Sequence, residues 1–247
     1  MRPTNNPVES AIIGRIDPTR GQVSQFATAS DSYYHSVTFA VNRRLANNFS
    51  LLAHYTLSKA IDNSTDIRLD VVDGPVDGLN LRAERGLSFQ DARHRFVASG
   101  VWNLNYSKNI LLRDFQLSSI ITLESGRPYN LKAGVDLDRN GDIPAFDRPA
   151  FLGRNVGVQP GFARVDMRLT RSISFKERFK FQAFFEAFNL FNRVNISTFD
   201  RTFPPDQRGN FNLPPNTGQN GRFIVTPDRF RGAFSPRQLQ AGLRIEF

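Results

Sequence analysis

The run with the sharpest chemical spacing is Asp136-Leu137-Asp138-Arg139-Asn140-Gly141-Asp142-Ile143, with Asp147 eleven positions after Asp136. Oxygen-bearing side chains fall at positions 1, 3 and 5 of a twelve-residue frame. Glycine stands at 6, an aliphatic residue at 8 and an acid at 12. This is how a calcium loop opens: hard oxygens suit Ca²⁺, and Gly141 permits the sharp turn. The metal candidates are therefore Asp136, Asp138, Asn140, Asp142 and Asp147. Position 12 holds Asp in place of the longer Glu, no helical pattern flanks the run, and Pro144 and Pro149 interrupt its second half. An Asx-rich surface turn is the competing reading, and both stand open on sequence alone.

Other chemistry is sparse. His35, His54 and His94 are scattered over separate segments without an HExxH spacing, so zinc catalysis is not expected. No G-x-S-x-G elbow occurs. Asp91, Arg93, His94 and Arg95 form a charged cluster where the chain enters a strand. We read it as an ion pair pinning a loop, with a substrate contact as the alternative. Lys180, Gln182 and Glu186 share one strand face, and Arg164, Asp166 and Arg168 share one on the strand before, so a charge ladder is expected between them. We expect no catalytic residue and no enzyme.

These residues sit on elements of one kind. The terminal stretch Leu239-Gln-Ala-Gly-Leu-Arg-Ile-Glu-Phe247 alternates apolar and polar residues with a strict period of two, which puts one greasy and one polar face on an extended strand. The same pattern runs through Tyr33–Leu45, Phe49–Ser58, Arg93–Asn105, Asp114–Glu124, Ala163–Phe175 and Phe179–Asn192, with a weaker candidate at Gln22–Thr28. Ala46-Asn47-Asn48, Tyr106–Leu112 and Lys176-Glu177-Arg178 are short connections. Roughly 61–91, 129–161 and 193–236 are long polar loops rich in Asp, Asn, Gly or Pro.

Composition narrows the classes. The chain has 247 residues, no cysteine and a net charge of +9. Mean hydropathy is −0.38. No apolar run of about 18 residues is present, a test that is blind to membrane barrels, whose lipid-facing residues alternate with lumen-facing ones. The arginines are spread over strands and loops with no nucleic-acid motif beside them, so no nucleic-acid partner is expected. Strands of about 10–14 residues are long enough to cross a bilayer when tilted, where about 9–11 suffice. Short turns on one rim and long loops on the other are the outer-membrane barrel layout. The expected fold is all-β: antiparallel transmembrane barrel strands, about eight in number, with short periplasmic turns and long extracellular loops. A free-standing eight-stranded barrel with a structural or adhesive role is the alternative, and a sugar-binding soluble β-sandwich the third.

The pieces YTLSKAID (Tyr55–Asp62), SFQDARHRFVASGVW (Ser88–Trp102), ESGRPYN (Glu124–Asn130), FDRPAFLGRN (Phe146–Asn155), VDMRLTRSI (Val165–Ile173) and FFEAFNLFNRVN (Phe184–Asn195) resemble TonB-dependent outer-membrane receptors, most closely their Oar-like group. The likeness covers nearly the whole chain after about residue 20, and only the C-terminal part of that barrel. It implies that these strands belong to a barrel of about 22 strands with a plugged lumen. It also implies outer-membrane location, contact with outer-membrane lipid, and uptake driven by the TonB complex where a plug is present. The terminal strand, with Leu239, Leu243, Ile245 and Phe247, resembles the signal read by the barrel-assembly machinery. Residues 1–21 carry no apolar signal region, plug or TonB box. They are expected to be an N-terminal loop or truncated start, with the barrel segment at 22–247, and the chain is expected to be a fragment, a truncated gene product or a degraded copy of a transporter.

Overall fold

Period-two alternation here becomes a single antiparallel sheet. The computed structural model describes residues 19, 28–63, 75–77, 80–104, 109, 113–137, 147–175, 179–218 and 221–246. Its strands are β1 (Ser32–Ala46), β2 (Phe49–Asp62), β3 (Gly86–Leu87), β4 (His94–Leu104), β5 (Phe115–Glu124), β6 (Pro128–Tyr129), β7 (Gly157–Val158), β8 (Phe162–Phe175), β9 (Phe179–Phe188), β10 (Ile196–Phe199), β11 (Phe223–Ile224), β12 (Phe230–Ala233) and β13 (Gln238–Glu246). The long strands β1, β2, β4, β5, β8, β9 and β13 lie side by side in that order, each antiparallel to the next, and β3 flanks β2. Among the described residues β1 and β13 form the two edges of this sheet.

The register keeps the two faces distinct across strands. Phe39, Tyr55, Phe96, Leu123 and Ala163 follow one another as Cα partners from β1 to β8. On the opposite face Arg168, Glu186 and Gln240 do the same from β8 to β13. A slip of one residue would exchange the faces, so register and face chemistry specify each other. The apolar face is left bare: Phe39 is 64% exposed, Phe185 49% and Leu243 83%. Among the described residues the other two sheets are small ones of two and three strands, built from loop segments. No second layer of the kind a soluble sandwich needs packs on this face among the described residues. An apolar face that spans seven strands far exceeds the few hundred Å² that soluble monomers expose. Polar residues interrupt it in places: Arg43 aligns with Leu51 and lies 5.4 Å from the Phe49 ring centroid, and Arg171 aligns with Phe115 and Ala183, its guanidinium 5.2 Å from the Phe115 ring centroid.

The connections alternate as expected. Asn47 (φ 52°) and Asn48 (φ 65°) make the β1–β2 turn, and two successive left-handed residues are what a type I′ hairpin requires. The β2–β4, β5–β8 and β9–β13 connections are the long ones, all at the other rim. Several details differ from expectation. Seven long strands are described where about eight were expected; Gln22–Ala27 lie outside the described residues and Thr28 is irregular. Most of the connection Tyr106–Leu112 and the turn at 176–178 also lie outside them. β9 ends at Phe188 and not at Asn192, because Asn189 (φ 51°) and Asn192 (φ 49°) adopt left-handed backbone that breaks an extended strand. β2 instead runs four residues past Ser58 to Asp62, where β3 pairs with it.

The loops hold the only buried hydrophobic cluster among the described residues. Tyr129, Leu131, Phe203 and Val225 form it, with Leu152, Phe199 and Phe230 among the residues packed around. The loops expected to be irregular thus carry paired pieces: β6 on β7, β7 on β11, and β10 on β12.

Candidate functional site

The polar face of β8, β9 and β13 carries a paired charge ladder. Arg168 Nη1 lies 3.2 Å from Glu186 Oε1. Arg164 Nε donates to Asp166 Oδ1 at 2.7 Å, and the same oxygen accepts the Asn189 amide at 2.8 Å. Gln240 donates to Glu186 from the next strand. Arg168 also lies over the Phe184 ring, 4.3 Å from its centroid. Phe184 gains its room from Gly242, its Cα partner, where any Cβ would collide with the ring. Beside the ladder is a groove of about 250 Å³ lined by Ser118, Ile120, Asp166, Arg168, Glu186 and Phe188. Of the expected ladder, Arg168–Glu186 crosses from β8 to β9; Arg164–Asp166 pairs within β8, Gln182 donates to Ser172 at 3.3 Å, and Lys180 lies 3.9 Å from Glu246 on β13. The cations and anions are matched side by side, a surface suited to a polar occupant.

The loop rim is stitched by buried charge pairs. Arg148 makes a bidentate pair with Glu84, at 2.7 and 2.9 Å, and both side chains are buried. Arg154 binds the Asp62 carboxylate at the end of β2 and also donates to its carbonyl at 3.1 Å. The Asn155 amide donates to Asn130 Oδ1 at 2.7 Å, and its side chain donates to the Leu87 carbonyl at 2.7 Å. Arg222 donates to the Gly157 carbonyl at 3.0 Å; burial lowers its pKa, opposed by the nearby Asp91 charge. These contacts tie the first long loop to the second and the second to the third. The Tyr129 phenol sits in the cluster without a hydrogen-bond partner, and burial pushes its pKa up to about 12.

The candidates from sequence fall as follows. Asp91 is buried; its Oδ1 accepts the Ala60 amide on β2 at 2.7 Å, and its Oδ2 accepts from Arg93 at 3.1 Å. That is a loop pinned to the sheet wall. His94 Nδ1 bonds the Tyr55 hydroxyl at 2.8 Å, and Arg95 lies 3.8 Å from Glu124, so the cluster divides among three separate partners. Of the metal candidates, Asp138, Asn140 and Asp142 lie outside the described residues. Asp136 and Asp147 are described, and Asp147 Oδ2 accepts the amide of Leu137. Of the terminal-strand residues, Leu239, Leu243 and Ile245 align with Ala187, Ala183 and Phe181 on the apolar face. Phe247 lies outside the described residues. Sequence reasoning missed the Glu84–Arg148 and Asp62–Arg154 pairs. Their partners stand 64 and 92 positions apart, and nothing local in the chain links them.

Residues 2–156 match a family model described as an outer membrane beta barrel domain. No curated protein matches the chain.

Proposed function

The chain belongs to the outer membrane β-barrel domain family and is an outer-membrane protein; from that premise we propose that it forms part of the barrel wall of a TonB-dependent receptor of the Oar-like kind, serving uptake across that membrane. Residues 22–247 are the barrel segment in this reading, with 1–21 leading into it. The long loops make the outer mouth, and the polar face lines the lumen. Lipid covers the apolar face. The barrel-assembly machinery inserts the strands, and the TonB complex acts through a plug held in the lumen.

One observation carries this reading: the Arg164–Asp166 and Arg168–Glu186–Gln240 ladder on the face away from the apolar one. A wall of matched charges gives a polar plug many partners without leaving a net field in the lumen. The bridged loops add support, since a preorganised mouth holds a substrate at less entropic cost. The test is a photo-crosslinking residue at Gln240 in the receptor as it occurs in the outer membrane. A crosslink to a plug domain, lost when the label is moved to the apolar-face neighbour Leu239, is expected. A folded protein with no crosslink from Gln240 contradicts the receptor reading and favours the free-standing barrel.

A further inference from the structure

We propose that the outward face of the sheet binds a lipid with an anionic phosphate headgroup, at the long-loop end of β1 and β2, through His35, Lys59 and Arg85. The proposal rests on the reading that lipid covers the apolar face. It starts from a change of chemistry along that face. Val37, Phe39, Tyr55 and Leu57 make it apolar in mid-strand. Towards the long loops the same alternation brings out His35 and Lys59, which are Cα partners, and then Tyr33 opposite Ile61. The register is unbroken over these positions, so all of them share one face. His35 and Lys59 are exposed, and Tyr33 is 49% exposed. The Arg85 guanidinium, from the first long loop, lies 5.1 Å from the Tyr33 ring centroid. His94 on β4 extends the band: it is the Cα partner of Leu57 and bonds the Tyr55 hydroxyl at 2.8 Å.

Height and charge together point to the ligand. Lys59 stands ten positions from Phe49, at the turn end of β2. At about 3.3 Å per residue and a tilt of about 40°, that spans about 25 Å, the height of a barrel's apolar band. The His35–Lys59 pair therefore lies where hydrocarbon gives way to headgroups, the level at which tyrosine is also favoured. The charge there is unmatched. On the opposite face Arg164, Arg168 and Lys180 each have an acid beside them. The acids nearest this band are committed elsewhere. Asp62 turns to the other face and binds Arg154, and Glu84, next to Arg85 in the chain, is buried against Arg148. Asp31, just before β1, uses its carbonyl to accept the Asn63 amide at 3.3 Å. No acid forms an ion pair with Lys59 or Arg85 among the described residues. A phosphate suits what is left. The planar guanidinium can grip it through paired N–H groups, Lys59 adds a compact charge and His35 a ring donor. The acyl chains then lie along Val37, Phe39 and Leu57.

The experiment uses the whole chain folded in phosphatidylcholine vesicles, with folding checked by heat-modifiable gel mobility. Spin-labelled phosphatidic acid and spin-labelled phosphatidylcholine are added separately, and the motionally restricted fraction of each gives their relative association with the protein. The proposal expects phosphatidic acid to associate more strongly. Lys59→Gln and Arg85→Gln should each weaken that preference by about two- to fivefold, the effect of one cation lost near a membrane surface. Arg208→Gln removes the same charge from an exposed turn of the third loop and should leave the preference unchanged. Equal weakening in all three variants means diffuse attraction by the net charge and overturns the proposal. A preference abolished by added inorganic phosphate overturns the assignment to a lipid. Restricted fractions of equal size for the two lipids refute this site alone, whereas no restricted fraction of either refutes the lipid-facing reading with it.

Discussion

Leu169→Arg separates a lipid-facing sheet from a water-facing one. Leu169 lies seven residues after Phe162 and six before Phe175, in the middle of β8. Its Cα partners are Leu117 and Phe185, so it is centred on the apolar face in both directions. At 37% exposure, an arginine there has room to extend, and in water the substitution would cost little. In a bilayer the midplane lipid face charges about 2–4 kcal/mol for arginine, and about 0–1 near the interfaces. That is a shift of about thirty- to eight-hundred-fold in the folding constant. His54→Arg is the matched control. It sits on the opposite face of β2, between Ala40 and Val97, and is exposed. Denaturant unfolding in lipid vesicles, followed by gel mobility, gives both values. The account expects a loss of about 2–4 kcal/mol for Leu169→Arg and under about 1 kcal/mol for His54→Arg. Equal costs at both sites, or no cost at Leu169, would refute the assignment of faces.

Three further outcomes follow from the same structure. Raising the pH from about 10 to about 12 deprotonates Tyr129 in the unfolded chain before the folded one, so stability falls across that window by about 2–3 kcal/mol. Tyr129→Phe removes that slope and is neutral or slightly stabilising at pH 7, since the hydroxyl has no partner; alkaline denaturant series on both proteins check this. Arg148→Ala leaves Glu84 buried and uncompensated, costing about 3–5 kcal/mol, whereas Arg148→Met with Glu84→Gln recovers most of the loss; limited proteolysis of the loops reads the difference. Asn48→Gly relieves left-handed backbone in the hairpin and stabilises by about 0.5–1 kcal/mol, measured by the same vesicle unfolding.

How much of this was legible in the chain depends on the range of the interaction. Alternation is local, so the seven long strands and both faces could be read from stretches such as Val165–Ile173, and the structure bears that out. The Arg168–Glu186 contact was accessible too, because one short turn fixes the register of β8 on β9. Strand ends were less legible: Phe179–Asn192 alternates past the point where Asn189 turns left-handed, and alternation does not register backbone angles. The loops were opaque. Tyr129 meets Phe203 and Val225, and Asp62 meets Arg154, across distances that no periodicity spans. Polar loop composition concealed a small apolar cluster, because the few residues that build it are dispersed among Asn, Gly and Pro.

The measurement that tests the central claim most directly is a spin-label scan of β8 in lipid vesicles. The chain has no native cysteine, so single cysteines can be placed at each position from Ala163 to Ser174. Collision with oxygen, which partitions into lipid, and with a water-soluble nickel complex is recorded at each site. The account predicts opposite oscillations with a period of two, oxygen high at Val165, Met167, Leu169 and Ile173 and nickel high at Asp166, Arg168, Thr170 and Ser172. Nickel access at both sets, or no period of two, would contradict a sheet that spans the outer membrane with its apolar face to lipid.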